Sequence, residues 1–156
     1  MKPRLDVMKH LASGPGRALL NLSAEVESRI DQTLLKLVEI RASQINGCAY
    51  CIDMHTKDAR HAGETEQRLY ALNAWRETPF YTDRERAALE WTEAVTLVSD
   101  SHVPDDVFER VSAQFTEPEL VALTFGVVVI NCWNRLSIAF RPPVGTYQPA
   151  AAAAAR

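Results

Sequence analysis

Apolar residues return every three or four positions along most of this chain, the period of a helix with one buried face. Ile30, Leu34, Leu37, Val38, Arg41 and Ile45 form one such stripe and predict a helix over about Ser28 to Ile45. Arg41 is the polar exception on it. It is either a stem that snorkels to water or a guanidinium paired with a buried carboxylate near the cysteines. Upstream, Ser13-Gly14-Pro15-Gly16 reads as a turn, and a short helix is predicted over Arg17 to Glu25. Downstream, Asn46-Gly47 marks a break with Asn46 as N-cap. The next helix starts at Cys48 and runs to about Ala62, with Gly63 as its stop. Thr65 caps a helix through about Trp75, and Glu77 to Tyr81 is a connector. Thr82-Asp83-Arg84-Glu85 is a capping box opening a helix to about Val98. Ser99 to Val103 reads as a loop, and Pro104 begins a short helix through Gln114. A second capping box, Thr116-Glu117-Pro118-Glu119, opens a long apolar helix to about Ala139, ended by Pro142-Pro143.

Val127-Val128-Val129-Ile130 raises a buried strand as the alternative for that last stretch. Its length, its cap and the polar Asn131, Asn134 and Arg135 favour helix. Apolar nearly all round, it belongs at the centre of the fold or at a subunit interface. No repeat and no βαβ pattern is present. The fold class is all-α, with about six to seven helices in a single domain over 1–142. A partly disordered tail follows over 143–156, in which Ala150 to Ala155 has nothing apolar to pack on.

Composition narrows the function classes. A chain of 156 residues suits one domain with a real core. A formal net charge of −3 gives no electrostatic case for nucleic acid or an anionic membrane. No uninterrupted apolar run reaches the ~18 residues of a membrane span, and the N-terminus lacks the apolar core of a signal peptide. Three cysteines without framework spacing argue against a secreted disulfide scaffold. A cytoplasmic protein is expected.

The chemistry concentrates in Cys48-Ala49-Tyr50-Cys51-Ile52-Asp53-Met54-His55. On a helix, Cys48, Cys51 and His55 share one face. A cysteine at a helix start meets unpaired N–H groups and the positive end of the dipole, which favour the thiolate. Three readings stay open on spacing alone. The cysteines are a redox pair with His55 as proton acceptor. Or Cys48, Cys51 and His55 ligate zinc, for which a fourth ligand is missing. Or they are ordinary buried small residues beside a surface histidine. His10, His61 and His102 are isolated and read as surface or structural. Cys132 reads as a small buried hydrophobe. Trp75, Trp91 and Trp133 read as core or interface, with one or more walling a thiol pocket.

The string Ser43 to His55 resembles the core motif of the alkylhydroperoxidase D-like (AhpD-like) proteins of the carboxymuconolactone decarboxylase superfamily. The wider run Arg41 to Arg60, then Gly63-Glu64, Asn73 to Thr78, Trp91 to Ala94 and Asn134 to Arg141, is similar to one branch of single-domain members. The resemblance implies an all-helical domain assembling as a trimer or hexamer, and reduction of hydroperoxides at the expense of an external dithiol. It implies no metal, haem or flavin. It makes Cys51 the peroxidatic cysteine, Cys48 the resolving one and His55 part of a proton relay. Tyr50 stands where the best-studied members have a second histidine. The relay glutamate falls at Lys36, which cannot serve as a carboxylate. Glu39, one turn on, and Glu93, flanked by Leu89 and Leu97, are the two replacements. Glu93 is preferred, with Arg41 as its partner. Two alternatives remain: a decarboxylase-like enzyme of the same superfamily, disfavoured by the cysteine pair, and a non-enzymatic thiol sensor or assembly module.

Overall fold

The computed structural model describes residues 2–12 and 14–150. Among them are eight α-helices and no strand. They are α1 (Gly14–Glu27), α2 (Gln32–Asn46), α3 (Ala49–His61), α4 (Glu66–Ala71), α5 (Asp83–Thr96), α6 (Val98–Ser101), α7 (Asp105–Ser112) and α8 (Glu117–Phe140), with 3-10 turns at Val7–His10 and Leu72–Glu77. The all-α class and the long C-terminal helix are as expected. The extra elements are small. The Thr65 helix tightens into the 3-10 turn at Leu72, with a kink at Ala74, and the expected loop after Val98 closes one helical turn.

Both capping boxes form as read, at Thr82/Glu85 and Thr116/Glu119. Two boundaries shift. Asp31 caps α2 by accepting the Leu34 N–H at 2.9 Å, so the helix starts four residues later than expected. Asn46 is not the N-cap of the cysteine helix. It is the last residue of α2, and Gly47 turns the chain in a left-handed conformation, φ 68°. Two residues, Gly47 and Cys48, separate the helices, and Cys48 occupies the N-cap position of α3. Glycine suits Gly47 because other side chains are strained there.

Helix α2 is buried on nearly every side: Leu34, Leu35, Leu37, Val38, Ile40 and Ala42 all lie in the core. Helices α3, α5 and α8 pack on it. Each fully buried Leu or Ile there contributes about 1.5–3 kcal/mol relative to exposure. Helix α8 would satisfy a membrane span by length and composition, yet 44% of its most apolar window is buried inside this fold. A Cβ at Gly126 would come within 3.3 Å of Ile30 and Leu35, so the missing side chain lets α8 settle closely over α2. One stripe of α8 stays open, through Val121, Phe125 and Val128.

The segment after Pro143 lies along the outer side of α3. The Gly145 N–H reaches Asp53, Lys57 donates to the Tyr147 carbonyl at 3.0 Å, and the Tyr147 hydroxyl donates to Asp58 at 2.7 Å. The frayed stretch expected over Ala150 to Ala155 falls, after Ala150, outside the described residues.

Candidate active site

Helix α3 presents Cys48, Cys51 and His55 inward, as the i, i+3, i+7 spacing dictates. The two sulfur atoms are 3.1 Å apart and share an S–H···S hydrogen bond. Both are free thiols, and each cysteine is 1% exposed. Closing a disulfide requires an approach of only about 1 Å. Cys51 also lies 3.8 Å from the Ser137 hydroxyl of α8.

Cys51, His55 and Tyr50 line a cavity of about 240 Å³ between α1, α2, α3 and α8. Its walls are mainly apolar, through Leu35, Met54, Val129 and Trp133. Cys48 is behind Cys51, away from the lining. Glu39 completes the polar end. Its Oε2 sits 3.0 Å from His55 Nδ1 and 2.9 Å from Lys36 Nζ. The histidine contact suits an ion pair, but the ring N–H is not aimed at the oxygen, and Nδ1 has no aligned hydrogen-bond partner. Such bonds often tighten only when substrate binds.

The electrostatics separate charge from access. The Cys51 S–H hydrogen bond pulls Cys48 down to about 6, against burial and with help from the backbone N–H groups of Cys51 and Tyr50, although no formal sulfur cap forms. Cys51 is pushed far up because its proton is held by the Cys48 thiolate, and burial adds to this. The pair thus titrates as a unit, losing one proton easily and the second with difficulty. Glu39 stays below the ordinary carboxylate range: burial opposes this, but His55 and then Lys36 outweigh it. Burial raises the Tyr50 phenol, and the neighbouring Cys51 and Asp53 charges add to it.

A profile of the carboxymuconolactone decarboxylase family matches residues 16–94, which includes α2, α3 and most of α5. The chain belongs to the carboxymuconolactone decarboxylase family. It is similar to the uncharacterized protein YdfG of Bacillus subtilis, 51% identical over 113 residues, covering 72% of this chain and 77% of that one. Among solved structures it superposes on a protein of unknown function from Agrobacterium tumefaciens, a candidate antioxidant defence protein AhpD. The TM-score there is 0.85 at 39% identity, covering 96% of this chain and all of that one. It shares its fold with the debrominase Bmp8, TM-score 0.75 at 20% identity over 84% and 71% of the two chains. AhpD-like architecture is therefore the setting for the cysteine pair.

Within that setting the structure gathers five of the six residues singled out from the sequence: Cys48, Cys51, His55, Tyr50 and Glu39. The sixth, Glu93, is elsewhere. Its carboxylate accepts from Arg41 Nε and Trp75 Nε1, each at 2.8 Å, and from Arg76. The preference for Glu93 is thus corrected on placement: Glu39, not Glu93, lies beside His55. Arg41 does pair with a carboxylate, but one that is only partly buried and not beside the cysteines. Helix α5 turns Glu93 toward Trp75 rather than toward α3.

Three residues were missed. Ser137 lines the cavity and faces Cys51. Asn134, fully buried, donates to Ser43 at 3.0 Å and accepts from Asn46 at 2.8 Å, tying α8 to the end of α2. Lys36 reaches Glu39. The signal for the first two was present: Asn131, Asn134 and Ser137 recur every three positions on one face of an otherwise apolar helix. Trp133 walls the cavity, as expected of at least one tryptophan. Cys132 is half-buried rather than fully enclosed. Among the described residues, no group of three or more His, Cys, Asp or Glu side chains is placed to hold a metal.

Proposed function

We propose that this chain is a thiol-dependent peroxidase that reduces organic hydroperoxides through a Cys48–Cys51 dithiol/disulfide cycle. One observation carries the reading. Two reduced sulfurs lie within bonding reach, and the one with a histidine a turn away on its own helix opens on an apolar cavity of about 240 Å³. The apolar walls favour an organic peroxide over hydrogen peroxide.

In the proposed cycle the single negative charge of the pair shifts to Cys51 as its proton crosses to Cys48, and His55, held by the Glu39 carboxylate, relays that proton onward to the products. The Cys51 thiolate attacks the distal peroxide oxygen. The O–O bond breaks, the alkoxide takes a proton to leave as an alcohol, and Cys51 becomes the sulfenic acid. The Cys48 thiolate attacks that sulfur, the S–O bond breaks, and the oxygen leaves as water with one added proton. An external dithiol then reduces the disulfide by exchange and is itself oxidised. Sulfur carries both electrons, so the cycle as written uses no metal or organic cofactor. Dithiol turnover suits a reducing compartment such as the cytoplasm.

The test mixes reduced protein with cumene hydroperoxide and a series of dithiols, following the alcohol product and the Cys48–Cys51 bridge together. Repeated turnover supports the enzyme. One oxidation followed by a stall supports the thiol-sensor alternative instead. Cys51→Ser is expected to abolish peroxide consumption and Cys48→Ser to allow one sulfenic acid per chain without turnover. Full activity in Cys51→Ser sinks the assignment.

The open stripe of α8 supports self-association as a trimer or hexamer. Val121, Phe125 and Val128 alternate four and three residues apart, the seam spacing of paired helices. Sedimentation of wild type against Phe125→Asp tests this, with a shift to smaller species expected.

A further inference from the structure

Lys36 occupies an unusual position. It lies one turn before Glu39 on α2, with its side chain 18% exposed and its ammonium 2.9 Å from Glu39 Oε2. That same oxygen faces His55 Nδ1 at 3.0 Å. One carboxylate oxygen therefore bridges a fixed cation and the imidazole. From the other side, Lys36 lines a groove on the protein's exterior, with Thr33, Ala59, Glu64 and Arg68. Its stem spans the wall between that groove and the polar end of the thiol cavity.

We infer that Lys36 is a positioning residue for the thiol chemistry: its ammonium is a permanent counter-charge that keeps Glu39 ionised under His55 and favours the thiolate of the cysteine pair. This rests on the thiol reading of the site, though not on a peroxide being the oxidant.

The charge count carries the inference. With Lys36 and Glu39 both charged, the pair is neutral overall. The cysteine pair shares one negative charge, and passing its proton between the two sulfurs buries no more. Take the ammonium away and the Glu39 charge is uncompensated in the same pocket as that thiolate. The site answers by holding an additional proton, whichever of Glu39 or His55 carries it. In either form the thiolate is disfavoured, because a nearby cation has been lost. The surrounding charges do not replace it. Glu27 of α1 and Asp58 of α3 are acidic neighbours of Lys36. Arg68 across the outer groove is engaged by Glu64 and Glu85. Helix α8 faces the cavity with Gly126, Val129, Trp133 and Ser137, none of them charged. The acidic neighbours and the Glu39 contact hold Lys36 in its charged form against burial.

The test compares Lys36→Met, which keeps the stem without the charge, with Lys36→Arg, which keeps the charge. The readout is the rate of iodoacetamide alkylation at Cys48 and Cys51 against pH, mapped by peptide mass spectrometry, with circular dichroism reporting the fold. We expect the alkaline rise of the Lys36→Met profile to begin about one pH unit higher, roughly a tenfold slower reaction on the acid side of that rise. Lys36→Arg should restore it. Superimposable wild-type and Lys36→Met profiles, with the fold intact, overturn the inference. So does a shifted profile that Lys36→Arg fails to restore, since that marks a packing role. If Lys36→Met does not fold, the Lys36→Gln profile is read by the same criteria. Alkylation needs no peroxide. A shifted profile in a protein that consumes no hydroperoxide leaves Lys36 in place and removes the peroxidase reading alone.

Discussion

Two glutamates, one buried and one partly buried, both on core helices and both held below the ordinary carboxylate range, differ in how their oxygens are engaged. Glu93 is saturated. Arg41, Trp75 and Arg76 converge on it from α2 and the 3-10 turn, so the carboxylate ties those pieces to α5. Glu39 is under-satisfied. It has one well-placed donor, Lys36, and one imidazole at ion-pair distance whose N–H points elsewhere. The Glu93 carboxylate already accepts from three donors, and it does not line the thiol cavity. The under-satisfied one lies on the cavity wall, where a small rotation of His55 completes its bonding. The lesson is that a depressed carboxylate alone does not mark a relay candidate; spare bonding capacity beside the thiol cavity is the feature that sets Glu39 apart.

The contrast can be broken most sharply through activity. Glu39→Gln should cut peroxide turnover by about a hundredfold, the scale of a lost acid–base group, while unfolding in urea shifts less than for Glu93. Turnover within twofold of wild type in steady-state assays would place the relay elsewhere. Glu93→Ala should do the reverse. It strands Arg41 and should cost about 3 kcal/mol of stability in urea titrations. Alkylation of the cysteines per folded molecule should barely change.

Acid sharpens the contrast further. The folded value of Glu93 is lowered from 4.5, mainly because the donors Trp75, Arg76 and Arg41 overcome burial. A depressed carboxylate contributes stability that is fully present above its unfolded value and is lost as pH falls through the folded one. The urea midpoint of the wild type should therefore drop as pH falls below about 4.5, and Glu93→Gln should flatten that drop. An unchanged acid slope in Glu93→Gln would mean that other carboxylates carry it. The smallest effect is expected at Ser137→Ala, a few-fold slower alkylation of Cys51, since the hydroxyl contact is long at 3.8 Å. Thiolate absorbance adds a check on the pair itself. One charge should appear near pH 6 and the second only in strong alkali.

Much of the fold was readable because its signals are local. Both capping boxes, the Gly47 break, the Gly63 stop and the proline at the start of α8 each act within a few residues of themselves. The Cys48, Cys51, His55 face is likewise fixed by the helix repeat. The misassigned features were those decided across helices. Asn46 looked like a cap from its neighbours, yet its side chain spends its hydrogen bonds on Asn131 and Asn134, 85 and 88 residues away. Ser137 reaches Cys51 from 86 residues away.

By itself the sequence determined the order and ends of the helices and set two thiols and an imidazole on one strip of α3. Backbone hydrogen bonds, caps and the helical repeat suffice for that, and all are short-range. The placing of Glu39 rather than Glu93 beside His55, the opening of Cys51 rather than Cys48 onto the cavity, and the contact of Lys36 with Glu39 were decided by tertiary structure. Helix α2 is apolar on nearly every side, so periodicity cannot say which flank faces α3 and which faces α5. That depends on how the helix is rotated when all its neighbours pack at once, and a few tens of degrees move a carboxylate from one partner to another.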